Sequence, residues 1–124
     1  MVEVLVSVVI VSLALTSLLA SISEAIRMER AAEMAATAGN LAGEAIEECR
    51  AYFNSHDESR LVARTAQQES AALASRGLGS YSRTVLVSES GVSPNRTWTL
   101  QVTVNYSVGG SERSVVHQTL FAER

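Results

Sequence analysis

The sequence predicts an α+β protein: a long amino-terminal helix packed on a small carboxyl-terminal antiparallel sheet of about three strands. Three observations carry that prediction. Val4 to Ser23 is an uncharged run of 20 residues, and Glu24 to Phe53 has no proline and repeats small apolar residues at three- and four-residue steps. Thr97 to Val108 then alternates polar and apolar residues. A helical face recurs about every 3.6 residues and a strand face every two, so the change of period marks the change of structure.

The first element is the hydrophobic helix of residues 1–23. At about 1.5 Å per residue its uncharged run is about 30 Å long, the depth of a bilayer's hydrocarbon core. Glu3 is the only charge ahead of Glu24. In lipid, an ionised carboxylate costs several kcal/mol unless a partner neutralises it, so Glu3 is the residue that needs a reason. A cleaved secretory signal does not fit, because such peptides begin with basic residues and have a shorter apolar core. Ser7, Ser12, Ala14, Ser17, Ala20 and Ser21 are small and permit close approach of another helix.

Residues 24–53 continue the same helix as an amphipathic second half. Ala31, Ala35, Ala38, Ala42, Ala45, Cys49 and Phe53 form one apolar stripe, widened by Leu41, Ile46 and Tyr52. Glu33, Asn40, Glu44, Glu47, Glu48 and Arg50 take the other side. Gly39 and Gly43 each weaken the helix by about 1 kcal/mol relative to alanine, and a bend is expected there. The first half requires lipid or other helices; the second requires a sheet to lie on.

Residues 54–124 form the head. Ser55-His56-Asp57-Glu58 has the spacing of a capping box and predicts a short helix over about 56–76. Leu61, Val62, Thr65, Ala66, Ala72 and Leu73 would be its apolar face, and Arg76-Gly77-Leu78-Gly79 its end. Strands are expected over about 82–90, 96–108 and 113–122. Gly91-Val92-Ser93-Pro94-Asn95 reads as a turn between the first two, and Gly109-Gly110 as a tight hairpin between the last two. Trp98, Leu100 and Val102 should face the helix, with Thr99, Gln101 and Thr103 outward.

Composition narrows the function. Up to Phe53, three Arg against seven Glu give −4; from Asn54 on, seven Arg against six acids give +1. No basic patch stands out, so no nucleic-acid footprint is evident. Cys49 is the single cysteine, which rules out an intrachain disulfide. His56, His117 and Cys49 make no metal-ligand spacing, Glu47 and Glu48 diverge by about 100° on a helix, and no catalytic or phosphate-binding motif occurs. The expectation is a protein that is not an enzyme, with no cofactor and no metal.

Val2-Glu3-Val4-Leu5-Val6 followed by a Val/Ile/Leu/Ala/Ser helix resembles the amino-terminal segment of type IV pilins and pseudopilins. The match covers roughly the first thirty residues and, in general plan, lies closest to minor pilins and the minor pseudopilins of type II secretion. The resemblance implies a basic leader cut after a glycine by prepilin peptidase and a methylated new amino terminus. Two residues, commonly Phe-Thr, would then stand ahead of Met1; leader and cleavage site would both precede this sequence. It implies that Glu3, Val4, Leu5, Ser7, Ala14 and Ser17 serve assembly, with Glu3 pairing with a neighbouring subunit's amino terminus. Partners would be other pilin or pseudopilin subunits through the helix, and the inner membrane before assembly, with the head periplasmic or extracellular. Arg27 and Arg30 alone would put the carboxyl-terminal part in the cytoplasm; a basic leader reverses that count. The family often carries a disulfide-closed loop and a proline near the end of the hydrophobic segment, and this chain has neither. The alternative is a membrane-tethered periplasmic binding module that does not polymerise.

Overall fold

A computed structural model describes residues 2–55, 61–91 and 95–122. In chain order the elements are α1 (Val2–Asn54), α2 (Ala66–Ser75), β1 (Tyr81–Ser90), β2 (Thr97–Val108) and β3 (Ser111–Ala122). The strands form one antiparallel sheet in the order β1-β2-β3, so the fold class is the α+β that the periods predict. The chain divides into two compact units, Met1–Glu33 and Met34–Arg124. The described part of the first unit is helix alone. The second holds the rest of α1, the short helix and the sheet.

Helix α1 is unbroken through Gly39 and Gly43. In the second unit its small residues meet the sheet: Ala38, Leu41, Ala42, Ala45 and Cys49 are buried. The opposing residues are Val85 of β1 and Trp98, Leu100, Val102 and Val104 of β2, all buried. Between them Thr99, Gln101 and Thr103 point the other way and are half-exposed, the alternation expected of a sheet covered on one face. At one end Phe53 sits 5.3 Å from the Trp98 ring, edge-on, and stacks at 5.1 Å on Phe121.

The hairpin between β2 and β3 is as tight as the glycines predict. Val108 pairs with Ser111, and Gly109 and Gly110 take φ of +59° and +83°, the left-handed region that a two-residue turn needs. Of the predicted turn between β1 and β2, Gly91 and Asn95 are described and 92–94 lie outside the described residues. Gly91 has φ +95°, and a Cβ there would come within 2.4 Å of the Asn95 carbonyl oxygen.

One prediction is corrected. The short helix does not occupy 56–76: it begins at Ala66, and the capping-box residues His56 to Glu58 lie outside the described residues. Residues 61–65 are extended instead. Leu61 drops into the core, and Arg64 bridges β1 by exchanging two main-chain hydrogen bonds with Val85. The helix starts where a second capping pair stands, the Gln68 side chain accepting from the Thr65 N–H at 2.9 Å. Of the face expected for it, Leu73 is buried while Val62 and Ala72 are exposed. Its end is as expected. Leu78 N–H bonds back to the Leu73 carbonyl and Gly77 N–H to Ala74, with Gly77 at φ +76°.

Candidate functional site

The assembly residues named from the sequence lie on the bare half of α1. Every residue from Val2 to Arg30 is exposed, including large apolar side chains such as Val2 at 73% and Leu19 at 64%. Exposed apolar surface on this scale marks contact with lipid or with another protein. The helix is long and apolar enough to cross a membrane. Glu3, Ser7, Ala14 and Ser17 follow one another at steps of four, seven and three, so they share one face; Val4 and Leu5, turned about 100° and 200° from Glu3, lie off it. Glu3 stands near the amino-terminal end of the described helix.

The polar side chains inside the apolar run find partners within the helix. Ser7 donates to the Val4 carbonyl at 2.8 Å, Ser12 to Val8 at 2.8 Å, and Thr16 to Leu13 at 2.9 Å. Ser17 donates to Ala14 at 2.9 Å and Ser21 to Ser17 at 3.0 Å. A hydroxyl so satisfied costs far less in hydrocarbon than a free one. Beyond the apolar run the surface turns charged, with Glu24 and Arg27 4.0 Å apart on one face.

The head holds a charge network that sequence reasoning missed. Glu69 of α2 accepts from Arg83 Nε at 2.8 Å and also from its Nη2, and both side chains are buried. Arg83 Nη1 donates to the Leu41 carbonyl of α1 at 3.2 Å. Arg64 lies between Glu69, at 3.1 Å, and Glu48 of α1, at 3.2 Å. Burial opposes the Glu48 charge, but hydrogen bonds from Arg64 and Tyr52 outweigh it and hold the carboxyl below its usual range. Burial opposes the Arg64 charge as well; Glu48 and Glu69 outweigh it and raise its pKa. Burial pushes the Cys49 thiol up, consistent with the small core residue its stripe position predicts. The network joins α1, the extended segment, α2 and β1. Its sequence signal lies in the spacing: Glu69 precedes the buried Leu73 by one helical turn, and Arg83 alternates with Tyr81 and Val85 on the core face of β1.

His117 lies on β3 and is exposed, and Glu47 pairs with Arg50 at 2.6 Å on the outer side of α1. Chain-wide comparison with protein families, with curated proteins and with solved structures gives no match.

Proposed function

We propose that this chain is a noncatalytic structural subunit, a minor pilin or pseudopilin of a type IV pilus or type II secretion filament. The observation that carries the reading is the bare half of α1: an exposed, uncharged apolar run from Val4 to Ser23 with the single carboxylate of Glu3 beside it. Before assembly that helix lies in the inner membrane, its hydroxyls satisfied by its own carbonyls. In the assembled filament it packs against the same helix of other subunits, and the head stands outward. Glu3 then pairs with the amino terminus of a neighbour, each charge offsetting the other's desolvation cost in a low-dielectric bundle. Leader removal by prepilin peptidase and methylation of the new amino terminus follow from the resemblance of the first thirty residues. A simple tether gains nothing from an acid at this position, which disfavours the non-polymerising alternative.

Glu3→Ala tests the proposal. The variant should remain in the membrane fraction after alkaline carbonate extraction, and should be lost from sheared filaments or from the tip complex when a tagged subunit is co-purified. Undiminished recovery with the filament would remove Glu3 from assembly. Release of the wild-type chain by carbonate would remove the membrane stage.

A further inference from the structure

We propose that α1 carries a built-in joint at Gly39–Gly43, where the helix opens locally while Arg83 keeps hold of the Leu41 carbonyl. Three independent observations meet at this point. The first is composition. Gly39 and Gly43 are the only glycines of α1, and Thr37 and Asn40 beside them are also poor helix formers. The rest of the stretch from Glu24 to Arg50 is rich in alanine, glutamate, arginine and methionine, which favour a helix.

The second is that the fold does not need these glycines. A glycine inside a helix often makes room for a neighbour that a Cβ would strike. Here a Cβ at either position would meet nothing within 4 Å. Alanine would fit at both and strengthen the helix, so packing gives no reason for either. The third is Arg83. Glu69 holds its Nε and Nη2, and the remaining nitrogen, Nη1, donates to the Leu41 carbonyl at 3.2 Å. In an α-helix that carbonyl already accepts from the Ala45 N–H. Leu41 lies midway between the two glycines. Sharp bends arise at glycine and where a side chain enters the i→i−4 ladder, and both conditions fall within one turn of an unbroken helix.

Opening the joint breaks the bonds from the Gly43, Glu44 and Ala45 N–H groups to the carbonyls of Gly39, Asn40 and Leu41. The first two carbonyls belong to a half-exposed and an exposed residue, and turn to water. Leu41 is buried, and a buried carbonyl without a donor is the costliest part of such an opening. Arg83 removes that cost. The Ala45 N–H turns to the Ala42 carbonyl, the tighter i→i−3 bond common at a helix start. Anchoring is uneven in the same sense. On the carboxyl side Leu41, Ala42, Ala45 and Cys49 are buried, whereas from Met34 to Gly39 only Ala38 is. The segment 34–39 is the part that moves. All of these residues belong to the second unit, so the joint does not depend on the filament reading.

The test is residue-resolved amide exchange on the full chain in detergent micelles. Gly43, Glu44 and Ala45 should be protected about tenfold or more weakly than Cys49 and Arg50 further along the same helix. Gly39→Ala and Gly43→Ala should each raise protection at these three amides about fivefold, and together about thirtyfold. Glu69→Leu combined with Arg83→Met removes the catch without leaving a buried charge. The joint should then open less often, so that protection at Ala45 rises relative to Val102 in the central strand. An Arg83 that only braces the head predicts the reverse. Equal protection from Gly43 to Arg50 in the wild type, or no gain from the alanines, would overturn the joint, and neither arm depends on how the double variant folds. A ratio of Ala45 to Val102 that holds or falls in the double variant would overturn the part assigned to Arg83.

Discussion

Glu69 and Arg83 are the two charged side chains buried among the described residues of the head, and each offsets the other's desolvation, with Arg64 as a second partner of Glu69. Removing one partner of such a pair leaves an uncompensated buried charge and costs about 3–5 kcal/mol, whereas replacing both by apolar residues is often neutral. Glu69→Ala should therefore sharply lower the chemical-denaturation midpoint, and Glu69→Leu combined with Arg83→Met should recover most of the loss. If the double variant is as unstable as the single one, the pair contributes net stability rather than only mutual neutralisation. At this scale the sequence was partly legible. The burial of Cys49 and the left-handed glycines at 109 and 110 follow from spacing and backbone chemistry. The Arg83–Glu69 pair does not, because no local pattern says that two charges 14 residues apart will meet.

Among the elements, α1 and the β2–β3 hairpin were readable because each has a long unbroken period. The short helix was misplaced because two capping signals compete, Ser55 to Glu58 and Thr65 to Gln68. Its real start is fixed by a tertiary contact, the bridge between Arg64 and Val85, which local propensity does not contain. The face of α1 that meets the sheet can be checked directly. Ala45→Arg would force a charge among Ala42, Cys49 and the buried β2 residues, and should cost several kcal/mol, enough to unfold a head of this size. Glu44→Arg loses an exposed pair with Arg76, 2.8 Å away, and should cost under about 1 kcal/mol. Urea melts that give equal midpoints for the two variants would put the sheet on the wrong side of α1.

For the molecule as a whole, the division at Met34 predicts that the head is self-sufficient. A fragment of residues 34–124 should be soluble, folded and monomeric, since the core residues all lie within it. Circular dichroism and sedimentation decide this, and an aggregated or unfolded fragment would mean that the bare half of α1 helps to stabilise the head. The plan of a long apolar helix with a sheet on its second half was legible from the sequence; which strand edge Arg64 bridges was not, because that depends on where a loop residue lands. The hydroxyls of Ser7, Ser12, Thr16, Ser17 and Ser21 carry an energetic consequence. Because none of them bonds outside its own helix, leaving one apolar environment for another ruptures no hydrogen bond. For the exchange proposed above, that leaves the Glu3 ion pair and dispersion contacts as the interactions that change.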